Sequence, residues 1–282
     1  MLFFITTFMK IIIALISLLL LACNSKTTEQ KNIEQNNNLQ KQNNTNQQKN
    51  IKKYNVEIID TLPHNPIYYT QGLLFHNGIL YEGTGGEGHS ILVKYKKDKH
   101  SIDKIVHLDS NVFGEGIAIF NNKIYQISWL NQICFGYDLK TLKKEKEFMY
   151  SGEGWGLTNN DSFLIMSNGS ATISFFELTD FKLIRNLMIK KNGTAIRYIN
   201  ELELVDSLLY ANIYTQDLII IANINTGDVV GEIDISNLRK HLYNNPTQEV
   251  SNGIAYDKKN NLFYLTGKNW NKIFVVRFNE KQ

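Results

Sequence analysis

Glu115-Gly116-Ile117-Ala118-Ile119-Phe120-Asn121-Asn122-Lys123-Ile124-Tyr125-Gln126-Ile127-Ser128-Trp129 reads as a β-hairpin. Two runs rich in Ile, Tyr and Phe flank a polar pair, as expected for strands joined by a tight turn. The opening triplet is polar or aromatic, then small or acidic, then aliphatic. It returns as Gln71-Gly72-Leu73, Trp155-Gly156-Leu157, Asn200-Glu201-Leu202 and Asn252-Gly253-Ile254. The five copies start 44, 40, 45 and 52 residues apart, close to the length of one four-stranded propeller blade.

Each triplet is followed by a second strand: Ile79-Leu80-Tyr81, Ile124-Tyr125-Gln126, Phe163-Leu164-Ile165, Leu208-Leu209-Tyr210 and Leu262-Phe263-Tyr264. Third strands are expected at Ile91–Tyr95, Ile133–Tyr137, Thr172–Phe176, Leu218–Ala222 and Ile273–Phe278, and outer strands such as Val229–Ile233 follow. The predicted fold is all-β, a five-bladed β-propeller over residues 54–282. The last repeat has no outer strand of its own, so Val56–Asp60 is expected to close the final blade from the N-terminal side and remove an exposed edge.

In a propeller the start of strand one and the end of strand two share a rim. Fourteen residues after each triplet start stand Gly85, Trp129, Gly169, Tyr214 and Thr266, the last two residues before Lys268. The entrance is therefore predicted to carry an inner ring of Gln71, Glu115, Trp155, Asn200 and Asn252, with Trp129, Tyr214 and Lys268 around it. A structural repeat would fill equivalent positions alike. Here they hold one acid, one ammonium, three carboxamides and three large aromatics, so divergence points to a site. A lone carboxylate aimed at a narrow channel is hard to justify by packing. The glycines of the triplets read instead as permission for close backbone approach.

The flanking sequence carries a different signal. Ile11–Ala22 is an apolar run of twelve residues after Lys10, too short to span a bilayer but suited to the core of a secretory signal, with Met1 or Met9 as the start. Residues 1–22 are thus expected to be a signal peptide. Leu20-Leu21-Ala22-Cys23 resembles a lipobox, which would lipidate Cys23 and leave it as the mature N-terminus. Residues 23–53, rich in Asn, Gln and Lys, then form a tether unable to offset its ordering entropy by burial. The expected location is the cell envelope, lipid-anchored to a membrane in the periplasm or on the outer surface.

Composition excludes several classes. With 30 basic and 27 acidic residues spread along 282, no basic stripe suggests nucleic acid. Cys23 and Cys134 cannot build a disulfide framework. Histidines at 64, 76, 89, 100, 107 and 241 lack ligand spacing, so no catalytic metal and no cofactor are expected. The glycine-rich stretch Gly83–Gly88 follows a strand with no helix after it and reads as a loop, not a phosphate cradle. No Gly-x-Ser-x-Gly element is present.

At the same residues the chain resembles the plant-type and bacterial glutaminyl-peptide cyclotransferases. The likeness runs through Tyr69-Thr70-Gln71-Gly72-Leu73, Leu80-Tyr81-Glu82, Phe113-Gly114-Glu115-Gly116-Ile117, Gly152-Glu153-Gly154-Trp155-Gly156-Leu157-Thr158, Met166-Ser167-Asn168-Gly169-Ser170, Asn200-Glu201-Leu202-Glu203, Gly231-Glu232-Ile233-Asp234, Asn252-Gly253-Ile254-Ala255-Tyr256-Asp257 and Thr266-Gly267-Lys268. The resemblance implies aminoacyltransferase chemistry. N-terminal glutamine of peptides or proteins would become pyroglutamate with release of ammonia, in a monomer, without metal.

It further implies active-site roles for Gln71, Glu115, Trp129, Trp155, Asn200 and Lys268. Under that reading Glu115 shuttles a proton, Lys268 with Asn200 stabilises the oxyanion, and Trp129, Trp155 and Tyr214 clamp the substrate that Gln71 orients. Two positions depart from the family pattern: Tyr214 stands where tryptophan is usual, and Asn168 where aspartate is common. From the residues alone, a non-catalytic propeller binding peptides or small ligands on the envelope stays open. A metal-dependent lactonase would need a ring of carboxylates, and only Glu115 among the five triplet starts is acidic.

Overall fold

Asn121 (φ 46°) and Asn122 (φ 58°) join Phe120 to Lys123, and Asn77 (φ 50°) with Gly78 (φ 82°) joins His76 to Ile79. Two left-handed residues in a two-residue loop match the right-handed twist of the strands they connect. These turns set the register of the hairpins. The computed structural model describes residues 50–243 and 246–282. The expected signal segment, Cys23 and the expected tether up to residue 49 lie outside them.

β1 (Lys52–Pro63) precedes a first antiparallel sheet of β2 (Tyr69–His76), β3 (Ile79–Gly85), β4 (Ile91–Tyr95) and β5 (Ile102–His107). A second sheet contains β6 (Gly114–Phe120), β7 (Lys123–Ser128), β8 (Ile133–Asp138) and β9 (Lys144–Met149). The third has β10 (Leu157–Asn159), β11 (Leu164–Met166), β12 (Thr172–Phe176) and β13 (Leu183–Met188). A short hairpin, β14 (Lys190–Lys191) and β15 (Thr194–Ala195), follows.

Next come β16 (Ile199–Val205), β17 (Leu208–Ile213), β18 (Leu218–Asn223) and β19 (Val229–Asp234), a 3₁₀ turn at Ser236–His241, then β20 (Ser251–Asp257), β21 (Leu262–Gly267) and β22 (Lys272–Glu280). The order β16-β17-β18-β19-β1-β22-β21-β20 makes these one eight-stranded sheet. The β14–β15 hairpin and the 3₁₀ turn were not expected. They lie in the two longest intervals between triplets and account for the wider spacing.

The third strands fall within two residues of the expected bounds. The N-terminal strand is longer than Val56–Asp60. It starts at Lys52, inside the segment read as tether, and runs antiparallel to β22 from Tyr54 opposite Glu280 to Pro63 opposite Lys272. It is thus the fourth strand beside β20–β22. Its first residues also pair in parallel with β19, Lys52 opposite Gly231 and Tyr54 opposite Ile233, which fuses the last two groups. Lys53 and Lys191 both ion-pair with the Glu232 carboxylate at this junction.

The buried apolar side chains fall into five clusters, four drawn from successive repeats and one joining the last repeat to the first. Ile117 and Phe135 meet Tyr81 and Leu92 in one, while Ala255 and Tyr264 meet Leu73 and Leu80 in another. Strand β2 lies beside both β6 and β20, and β10 and β16 continue the series between those two. The close approach explains Gly116. A β-carbon there would lie 2.8 Å from Gly156 Cα and overlap the Leu157 amide, so a side chain would force two neighbouring inner strands apart.

Candidate active site

Four of the five triplets that mark the repeats are β-bulges. Pairing of β6 with β7 jumps from Gly114–Ser128 to Ile117–Gln126, and that of β2 with β3 jumps from Thr70–Thr84 to Gly72–Gly83. β16 and β20 jump in the same place, across Asn200-Glu201 and Asn252-Gly253. A bulge inserts residues that have no ladder partner and re-aims their side chains. In these four inner strands the bulge turns a polar side chain inward at one end while the rest of the strand keeps its apolar pattern.

Gln71, Glu115, Asn200 and Lys268 form the floor of a cavity of about 310 Å³, all of them buried. Trp129, Trp155 and Tyr214 stand around it, together with Tyr69 and Phe113. Eight residues had been expected at this entrance, and seven line the cavity. Asn252 does not. It is fully buried behind the floor, where Nδ2 donates to Gln71 Oε1 at 3.2 Å and to the Thr70 carbonyl at 3.0 Å. Gln71 Nε2 in turn donates to Glu115 Oε1 at 3.1 Å. Asn252 therefore meets Gln71 from behind and not the cavity, because the bulge across Asn252-Gly253 places it one layer below the opening.

The wall is held by groups not singled out in the sequence. One oxygen of Glu153 accepts hydrogen bonds from the indoles of both Trp129 and Trp155, each at 2.8 Å. Trp155 meets Tyr214 edge to face at 5.5 Å, and Phe113 meets Trp129 at 5.7 Å. Ser167 Oγ donates to the Asn200 carbonyl at 2.6 Å and accepts from Gly156 N at 2.8 Å, tying the third inner strand to the fourth. Gly169 and Gly85, at the rim positions read by counting, leave room for the Trp155 and Phe113 rings. Asn168 accepts from Ser170 N and Oγ at 3.2 and 2.6 Å, a turn that either aspartate or asparagine can build.

Charge in the floor is shaped by burial. Loss of water pushes the Glu115 carboxyl well above its ordinary range, opposed by the charge of Lys268 and reinforced by that of Glu153. Burial likewise lowers the Lys268 pKa, against the pull of Glu115 and Glu249. The two make no direct ion pair. Instead Lys268 Nζ lies 4.6 Å from the Tyr69 ring centroid and 5.1 Å from that of Tyr214, cation–π contacts that suit a poorly hydrated ammonium. Its backbone is fixed by bonds with Glu249 and Val250. Asn200 Oδ1 is buried without a hydrogen-bond partner among the described residues.

Two further carboxyls lie deeper. Glu201 accepts from Leu73 N at 3.2 Å and Ile254 N at 2.7 Å, joining three inner strands. Glu82 accepts from Thr70 Oγ1, Tyr95 Oη and His64 Nε2, and His64 Nδ1 lies 2.6 Å from the Trp270 carbonyl. Since both partners of His64 accept, both its nitrogens donate, and the ring is an imidazolium. Burial opposes that charge, but Glu82 outweighs it and holds the His64 pKa above normal. Among the described residues no three His, Cys, Asp or Glu are grouped to hold a metal ion.

The family model described as glutamine cyclotransferase matches residues 27–278. The chain belongs to this family. A glutaminyl-peptide cyclotransferase of Arabidopsis thaliana is 31% identical over 229 residues, 80% of this chain and 72% of the relative. The crystal structure of Myxococcus xanthus glutaminyl cyclase aligns with a TM-score of 0.77 at 32% identity, covering 82% of this chain and all of that one. Within this glutamine cyclotransferase, Tyr69, Phe113 and Glu153 are the site residues that pattern reading missed. Tyr69 and Phe113 flank triplets already quoted, but nothing in a linear pattern says which neighbour of a bulge faces inward.

Proposed function

We propose that this glutamine cyclotransferase converts the N-terminal glutamine of peptides or proteins to pyroglutamate, releasing ammonia, in the cavity around Glu115. The observation that carries the assignment is a single buried carboxyl beside a buried ammonium under an aromatic wall, in a chain of this family. The α-amine attacks the side-chain amide carbon, a C–N bond forms, and the departing nitrogen leaves as ammonia. Nucleophile and electrophile are already joined, so no enzyme nucleophile is required. Orientation alone can lower such a barrier by several kcal/mol.

Trp129, Trp155 and Tyr214 hold the glutamine folded on itself. Glu115 takes the proton from the attacking amine and returns it to the leaving nitrogen, a task suited to a carboxyl that burial has made more basic than an exposed one. Lys268 and Asn200 stabilise the oxyanion of the tetrahedral intermediate. Gln71, clamped by Asn252, orients Glu115. The chemistry is an acyl transfer between two nitrogens and needs no metal. Ammonia release from a short glutaminyl peptide by chelator-treated protein is the test, with Glu115→Gln expected to lose about 10²- to 10⁴-fold in kcat. Peptide binding without ammonia would favour the binding-module alternative.

Five four-stranded blades around an axis are the architecture we propose. Its support is the cyclic neighbour order of β2, β6, β10, β16 and β20, the five interlayer clusters and the place of β1 beside β22. We further propose an exported lipoprotein anchored through Cys23 in the cell envelope, on the strength of Ile11–Ala22 and Leu20–Cys23. Replacing Cys23 with serine is expected to move the protein from the membrane fraction to the soluble one, and to abolish labelling by a fatty-acid probe.

A further inference from the structure

Cyclisation consumes only the first residue of a peptide. The remainder leaves that residue through its α-carbonyl and must pass out of the mouth of the cavity. Beside the mouth lies a groove of about 810 Å³ whose lining includes Tyr69 and Phe113, the same two side chains that wall the catalytic cavity. Three further surface cavities share no residue with it. The groove runs outward over the rim of the first sheet, between the segment before β2 and the turn joining β3 to β4.

Its origin is a single position in the repeat. Where the second and fourth repeats place Trp129 and Tyr214 on the rim, the first has Gly85, and the Phe113 ring lies against that glycine. The Phe113 ring fills the space beside that glycine, so on this side the wall is a single aromatic layer with the groove directly behind it. Phe113 and Tyr69, edge to face at 6.2 Å, form a partition between the two spaces. No carboxylate, lysine or arginine lines the groove. Ile67, 76% exposed, stands at its edge beside buried Tyr68, and exposed His107 faces it from the end of β5. Continuity with the catalytic cavity through Tyr69 and Phe113, and not the exposure of Ile67 by itself, is what marks this groove as the path of the peptide.

We propose that this groove is the binding site for the second and third residues of the substrate peptide, and that it selects an apolar or aromatic side chain at the second position. The inference rests on the glutaminyl-cyclising reading of the adjoining cavity. Ile67 and Tyr68 contact the second side chain, and a lining without carboxylate, lysine or arginine disfavours a charge there, because a charged group would lose hydration without gaining an oppositely charged partner.

The test compares kcat/KM for glutaminamide, Gln-Gly-amide, Gln-Phe-amide and Gln-Lys-amide by ammonia release, on the full chain and on the Ile67→Asp/His107→Asp variant. Neither position belongs to the catalytic machinery and both are exposed. The wild type is expected to prefer Gln-Phe-amide over Gln-Gly-amide by about tenfold, the scale of discrimination an apolar pocket provides, and mainly through KM. The variant is expected to keep glutaminamide turnover, lose the phenylalanine preference and gain on Gln-Lys-amide. Indifference of the wild type to the second residue overturns the proposal, as does an unchanged Phe-to-Lys ratio in the variant. Ammonia from none of the substrates would fell the catalytic reading alone. Calorimetric binding of Gln-Phe-amide against Gln-Gly-amide, with the same variant, then decides the groove separately.

Discussion

Glu115 is placed by a bulge, buried by its neighbours and bonded through Gln71 to Asn252, so its protonation is a property of the folded state. Its folded pKa stands well above the ordinary 4.5. The folded chain therefore binds this proton more tightly than the unfolded one. Stability falls as pH rises from the unfolded carboxyl range to the folded pKa, and the full cost persists above it. Glu115→Gln removes that titration while keeping an oxygen to accept from Gln71. Its melting temperature is expected to equal or exceed that of the wild type at alkaline pH and to fall less between acid and neutral pH, as followed by circular dichroism. A variant less stable than wild type at pH 8 would mean that the carboxylate is stabilised by its surroundings. Glu115 and Lys268 were legible in the sequence because a lone acid and a lone ammonium broke a repeat. Glu153 was not, because its role depends on two indoles that converge only in space.

Elements are joined across the molecule by polar nodes, and the side chains of one of them, His64–Glu82, are fully buried. His64 follows β1, Glu82 lies in β3, and Trp270 stands in the turn between β21 and β22, two residues after Lys268. His64 has a raised folded pKa, so its contribution is complete below the unfolded value of 6.5 and is lost as pH rises through the folded value. Glu82 has a lowered one, so its contribution is present above 4.5 and is lost as pH falls through the folded value. The pair thus stabilises most between those limits. His64→Ala strands a buried carboxylate and is expected to cost about 3 to 5 kcal/mol in denaturant unfolding at pH 6. A loss under 1 kcal/mol would show that Glu82 is satisfied by Thr70 and Tyr95 alone. The same variant is expected to raise KM, since the turn that carries Lys268 loses an anchor.

At the scale of the whole molecule, β1 sets the N-terminal end of the described residues against the C-terminal strand β22. Strand β22 has β1 on one side along nine paired positions, and without it the last group keeps only three strands and an exposed edge. A chain starting at Asn50 is expected to unfold as cooperatively as the full chain, whereas one starting at His64 is expected to aggregate or to unfold at lower denaturant. Equal midpoints for the two would mean that β1 is a decoration. What the sequence by itself determined was local and periodic: strand positions, five hairpins, the recurring triplets and the return to one rim, because turn chemistry and alternation act over a few residues. Only the tertiary structure decided that four of the triplets are bulges, that Asn252 lies behind Gln71, that Tyr69 and Phe113 wall the cavity, and that the Phe113 ring fills the space beside Gly85. Those outcomes depend on how closely inner strands from distant repeats approach one another, a distance set by packing around the centre and written in no single segment.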